Sequence, residues 1–257
     1  MRKLHNFDDS NKTAQIGNIL LEALSDSYIL KGRVESTESG GYEDRRKKID
    51  AFILKTGDSG KEYKHSLQIK TDLQHPTSLS LALELCEISW GSGLMHNGRD
   101  GNLLQKELLE VDYIVYILPG TGIYFWKPRE LNRLTYFLIR HYQQVDTWEE
   151  VQHTFRFVTA NNGDWFSICY LVPYYMINEP NYYRTKCIEW PNKYESTENP
   201  LGPVHSIQWY DAVSLLQKNK PESYQEIIPL VINYADSFSK PKRDKILRSW
   251  ELNPEQT

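Results

Sequence analysis

The chain has no run approaching the roughly eighteen consecutive apolar residues that a membrane-crossing helix needs. Its N-terminus, "MRKLHNFDDSNK", also lacks the apolar segment of a signal peptide. A cytoplasmic protein with no membrane partner is therefore expected. Cysteine is scarce: Cys86, Cys169 and Cys187 form an odd, scattered set without a CxxC pair. That set supports neither a disulfide framework nor a zinc knuckle, and each thiol is expected to pack as a small apolar group. Excess positive charge is missing too. A formal net charge of −4 excludes a protein that coats nucleic acid by bulk electrostatics, although it leaves room for a local site. No repeat of fixed period is visible.

What is present is an ordinary core-forming composition, 40% hydrophobic and 25% charged over 257 residues, enough for one large domain or two small ones. Residues 13–25, "TAQIGNILLEALS", set Ile16, Ile19, Leu20, Ala23 and Leu24 on one helical stripe, with Gln15 and Glu22 together on its flank. "SYILKGRV" reads as a strand and "ESTESGGYED" as a loop. Residues 78–90, "SLSLALELCEISW", alternate like a strand, but their length, their Ala and Glu content and the preceding "PTS" predict a helix. "GSGLMHNGRDGN" reads as a loop that carries His96, and "LLQKELLE" as a short helix. "VDYIVYILP" and "GIYFWKP" are strands, and "PRELNRLTYFLIRHY" a helix opened by Pro128. The order through residue 142 is helix, three strands, helix, strand, strand, helix, which predicts a mixed sheet flanked by helices. Residues 1–145 are expected to form this core, and 146–257 an α/β extension packed on it, with helices in "WYDAVSLLQ", "YQEIIPLVINYADSF" and "RDKILRSW".

Between residues 47 and 72 the chain reads as two alternating strands around the turn "TGDSGK". Residues pairing across such a hairpin have numbers summing to about 117 or 118. At the larger sum Asp50 faces Gln68, and Lys70 stands two residues further along the same side, which Phe52 and Leu54 also share. An acid, an amide and an amine in that pattern suit phosphodiester hydrolysis. Asp50 and the amide oxygen of Gln68 offer hard oxygen ligands of the kind Mg²⁺ takes, and Lys70 could orient the attacking water or offset phosphate charge.

The helix "IGNILLEAL", the spaced "ID" and "QIK", and the later "VDYIVYILP" strand resemble the restriction-endonuclease-like PD-(D/E)xK nuclease superfamily. The resemblance covers somewhat under half of the chain. It implies a metal-dependent DNA endonuclease with Mg²⁺, or Mn²⁺ as a substitute, as cofactor. Asp50 and Gln68 would hold the metal, Glu22 of the first helix would serve its outer shell or a second ion, and Lys70 would be the motif lysine. Ile49 stands where such motifs often have proline, and Gln68 replaces the more usual carboxylate, giving up one negative charge toward the ion. A homodimer is a further expectation of the resemblance, since cutting both strands of a duplex commonly takes two sites. Arg45, Arg46, Lys47 and Lys48 could contact phosphates beside the scissile bond. The alternative is an inactive nuclease-fold protein that binds DNA or a protein partner, which the missing carboxylate at position 68 favours.

Overall fold

The computed structural model describes residues 7–38, 41–73, 80–91, 94–100, 110–131, 156–161, 165–173 and 205–236. The chain divides into two compact units, one of residues 1–7, 79–109 and 126–204, the other of 8–78, 110–125 and 205–257. Their elements in chain order are α1 (Phe7–Ala23), β1 (Arg33–Ser36), α2 (Tyr42–Lys47), β2 (Ala51–Thr56), β3 (Glu62–Thr71), β4 (Ser80–Gly91), β5 (Leu94–Asp100), β6 (Tyr113–Leu118) and β7 (Gly122–Trp126). β8 (Arg156–Asn161), β9 (Trp165–Pro173), β10 (His205–Gln208), α3 (Trp209–Asn219) and α4 (Pro221–Asp236) follow. The protein is mixed α+β, as expected. Among the described residues no helix is long and apolar enough to cross a membrane.

The second unit is built on a six-stranded mixed sheet in the order β1-β2-β3-β6-β7-β10. β1, β2 and β3 pair antiparallel, β3 and β6 pair parallel, and β7 and β10 pair antiparallel. Alternation along the strands sends Ala51, Ile53, Leu67, Ile69, Val115, Ile117, Ile123 and Ile207 to one face, where they share a core with α1, α3 and α4. Leu20 and Leu24 of the first helical stripe, and Leu21 beside them, are at most 1% exposed, and burying each contributes about 1.5–3 kcal/mol. Ile114, Tyr116 and Leu118 point the other way and are buried as well, so β6 is apolar on both faces.

Helix α1 lies close on the sheet because residue 17 has no side chain. A Cβ there would stand 2.3 Å from Thr71 Oγ1 and 2.9 Å from Ile69 Cγ2. Gly17→Ala must push the helix off β3, and we expect it to lower the unfolding free energy in urea by about 1–3 kcal/mol, as overpacking does. The other end of the helix is held from a distant part of the chain: Lys220 Nζ donates to the carbonyl of Ser25 at 2.9 Å and to that of Glu22 at 3.4 Å. A cation among the last carbonyls of a helix satisfies acceptors that have no partner within it.

The other unit contains an antiparallel four-stranded sheet, β5-β4-β9-β8. It corrects two expectations. Residues 80–91 are a strand rather than part of a helix, and 94–100, expected in a loop with His96, are its hairpin partner. β4 pairs along both of its edges, with β5 and β9, so the two-residue alternation of its leucines prevails over local helix propensity. Among the described residues between β3 and β6, two strands thus stand where a helix and a loop were expected; the "LLQKELLE" helix falls almost wholly outside the described residues. Two smaller corrections concern the β1 region. Of "SYILKGRV" only Arg33 and Val34 are in the strand, because the chain first turns through Lys31 in the left-handed region (φ 51°). Tyr42 to Asp44, expected at the end of the "ESTESGGYED" loop, instead open α2, supported by a Lys47–Glu43 ion pair one helical turn apart at 3.0 Å.

Candidate functional site

Strand β2 starts at Ala51, whereas its neighbour β3 continues to Thr71, four residues beyond the Ala51–Leu67 pair. The Ile69 N–H, which a longer β2 could have taken up with a backbone carbonyl, donates instead to Asp50 Oδ2 at 2.6 Å. Asp50 is itself pinned on two sides. Its N–H donates to the Leu67 carbonyl at 2.8 Å, and its own carbonyl accepts from Thr37 N–H at 2.9 Å and Thr37 Oγ1 at 3.0 Å. Its carboxylate is therefore fixed at the end of β2, against the backbone of β3.

Gln68 and Lys70 occupy β3 opposite Ile114 and Tyr116 of β6. Both stand on the face away from the helix-packed Leu67 and Ile69, as the two-residue period requires. The hairpin register has the expected sum of 118, Ala51 pairing with Leu67. Gln68 is 5% exposed, and its Oε1 is buried without a hydrogen-bond partner. A buried acceptor in that state costs about 1–3 kcal/mol, so a cation or donor arriving at it would recover that penalty. Lys70 is half-buried. Further along this face, Phe52 obtains its cover from Lys64, whose Nζ stands 3.7 Å from the ring centroid.

Glu22 arrives from the helix side. Its Oε1 accepts a very short hydrogen bond from Ser36 Oγ, and Ser36 ends β1 directly opposite Ala51. The sheet therefore brings Glu22, Asp50, Gln68 and Lys70 to the same end of β2, but from different sides. Glu22 comes from the helix-covered face, Asp50 lies at the strand terminus, and Gln68 and Lys70 stand on the other face. Among the described residues no group of three or more His, Cys, Asp or Glu side chains is arranged to hold a metal ion. This set, with two carboxylates and an amide, is not such a group.

Of the basic run before Asp50, Arg45, Arg46 and Lys47 belong to α2, and Lys48 follows it in the left-handed conformation common at helix C-termini (φ 58°). Lys47 is engaged locally: the hydrogen bond from its Nζ to Glu43 raises its pKa, and its Nζ stands 5.5 Å from the Tyr42 ring centroid. The side chains of Arg45 and Arg46 lie outside the described residues. Sequence reasoning missed Ser36 and Thr37, which hold Glu22 and the Asp50 backbone; they sit in a Ser- and Glu-rich stretch with no periodicity to mark them. It also missed Asn18 Oδ1 and Thr71 Oγ1, buried oxygens without partners on α1 and β3.

Fold and site together define a mixed α+β protein whose six-stranded sheet is flanked by helices and carries a polar group at one strand end. No family model matches the chain, and no curated protein or solved structure does.

Proposed function

We propose that the chain is a divalent-metal-dependent DNA endonuclease with a restriction-endonuclease-like core. The observation that carries this reading is the Asp50 carboxylate held against the backbone of β3, the strand on which Gln68 has a buried amide oxygen without a partner. The donor set fits a hard cation. A carboxylate has about four acceptor positions, more than one neighbour can fill, and the buried Gln68 oxygen has no partner. Asp50 and Gln68 would hold Mg²⁺ or Mn²⁺, with Glu22 steadied by Ser36 as an outer acid. The ion would supply Lewis acidity toward the phosphate and lower the pKa of nearby water.

The remaining work belongs to the chain. Lys70, two residues beyond Gln68 on the same face, directs an ammonium with three donors toward the attacking water or a phosphate oxygen. Arg45, Arg46, Lys47 and Lys48 would contact the flanking backbone, where each contact adds salt-dependent affinity and no sequence preference. A homodimer would present two such sites to the two strands of a duplex.

The test is cleavage of plasmid, branched and single-stranded DNA with Mg²⁺ or Mn²⁺ by wild type and Lys70→Ala. Divalent-dependent nicking by wild type that Lys70→Ala loses is the expected result. Equal degradation by both proteins assigns the activity to a contaminant and removes the reading. A second reading is a non-catalytic DNA- or protein-binding module, which the single negative charge of the Asp50–Gln68 pair favours. Mn²⁺ titration calorimetry separates the two: heat that Asp50→Asn removes supports the nuclease, and no heat supports the binding module.

A further inference from the structure

The early end of β2 leaves a notch in the sheet. β3 runs on to Thr71 past its last pairing with β2 at Leu67, and the Ile69 amide turns toward the β2 side, as its bond to Asp50 Oδ2 shows. Helix α1 crosses the same place on the face it covers. Glu22 meets Ser36, which is level with Ala51 and so with Leu67. Nearer the start of the helix, a Cβ on Gly17 would run into Ile69 Cγ2 and Thr71 Oγ1. Followed from Glu22 back to Gly17, the helix therefore advances from the last paired level of β2 to the end of β3.

Asn18 lies between these two anchors. It precedes Glu22 by four residues, which puts it on the same flank of the helix, about 6 Å nearer the N-terminus. Two residues of strand span roughly the same length, so Asn18 comes level with Ile69, where β2 has ended and the Asp50 carboxylate lies. That this flank looks toward β1 and β2 is borne out one turn beyond Glu22, where Ser25 Oγ accepts from the Val34 N–H of β1 at 2.9 Å. Asn18 Oδ1 and Thr71 Oγ1 are both buried, and neither has a hydrogen-bond partner. They belong to facing elements that touch at Gly17, so two unmatched acceptors border one notch. Buried oxygens in that state call for a donor that the chain does not supply.

We propose that Asn18 and Thr71 are positioning residues for the divalent cation assigned to Asp50, their Oδ1 and Oγ1 accepting hydrogen bonds from the waters that the ion carries. The proposal rests on the metal-dependent reading given above. Mg²⁺ is commonly bound through one or two carboxylates and keeps several waters, whose polarised O–H groups are the donors these two oxygens lack. Neutral acceptors also suit the place: they hold water beside Asp50 and Glu22 without the like-charge repulsion that a third carboxylate would bring to the metal-free protein.

The experiment titrates the full chain with Mn²⁺ by calorimetry, in wild type, Asn18→Leu, Asn18→Asp, Thr71→Val and Asp50→Asn, and melts each protein in EDTA. Asn18→Leu and Thr71→Val each remove an unmatched buried oxygen at nearly constant volume, so both are expected to melt in EDTA no lower than wild type. They are nevertheless expected to bind Mn²⁺ about 10–100-fold more weakly, the usual effect of losing an outer partner of a metal site. Asn18→Asp keeps an oxygen in place and is expected to bind at least as tightly as wild type. Wild-type affinity in both Asn18→Leu and Thr71→Val, with binding lost in Asp50→Asn, overturns this proposal and leaves the metal-dependent reading standing. No Mn²⁺ binding by wild type removes both. Weaker binding that accompanies a lower melting temperature in EDTA, and that Asn18→Asp does not restore, makes the two residues structural and overturns the proposal as well.

Discussion

If the chain is the proposed nuclease, Asp50→Asn is expected to remove divalent-dependent DNA cleavage while disturbing the fold less than Asp50→Ala, which is expected to lose both activity and stability. The distinction comes from the two duties of one carboxylate. In the structure it accepts the Ile69 N–H at 2.6 Å, and an Asn oxygen can take over that bond. Alanine cannot. The Ile69 N–H is then stranded, at a cost of about 1–3 kcal/mol. For a chain of this size that corresponds to a melting shift of about 2–4 °C per kcal/mol. Catalysis under the nuclease reading, by contrast, needs the negative charge. Removing it should lower cleavage by on the order of 10²–10⁴-fold, the range in which positioned acid–base and metal-holding groups act. Melting without divalent ions and plasmid nicking with them provide the two readouts. An Asn variant that cuts at the wild-type rate removes Asp50 from the chemistry, and an Ala variant that melts like wild type removes the strand-end bond from the stability account.

Gln68→Met should behave in the opposite sense, stabilising the metal-free protein and abolishing its response to metal. The wild-type amide oxygen is buried and unpartnered, a standing penalty of about 1–3 kcal/mol that a thioether of similar length does not incur. If Gln68 holds an ion, the wild type gains about 2.7 kcal/mol at a metal concentration a hundred times the dissociation constant, and the variant gains much less. The two melting curves should therefore converge or cross as Mn²⁺ is added. Gln68→Glu completes the series: a carboxylate at this buried position destabilises the metal-free protein and restores stability when the ion is present. Parallel curves for wild type and Gln68→Met at every Mn²⁺ concentration would mean that Gln68 is only an awkwardly placed core residue.

Much of the hairpin was legible in advance, for reasons that lie in its residues. "TGDSGK" closes on Gly60 at φ 75°, a conformation glycine adopts without strain, and the short turn sets the register that aligns Ala51 with Leu67. With register fixed, the period of two puts Gln68 and Lys70 on a common face. The position of Asp50 was less legible, because the end of a strand is decided by its neighbours: Thr37 and Leu67 draw the backbone aside, and the carboxylate lies on β3 rather than standing on the face. The 78–90 segment was misread since its local signals conflicted, with Ala, Glu and a capping sequence on one side and four alternating leucines on the other. Pairing along both edges of β4, which the sequence does not display, resolves that conflict. Helix α1 also begins earlier than expected, at Phe7.

The placement of β10 has a consequence for biosynthesis. β7, buried along its whole length, has β6 on one edge and β10 on the other, yet 78 residues of chain separate Trp126 from His205. At about 5–20 residues per second the ribosome takes roughly 4–16 s to supply that last strand. During this interval the nascent polypeptide presents "GIYFW" with an unsatisfied row of amides, the kind of template on which a second nascent copy can add. Holding that edge closed until translation finishes is a task for a chaperone, and crowded expression is the condition under which its neglect would show as inclusion bodies.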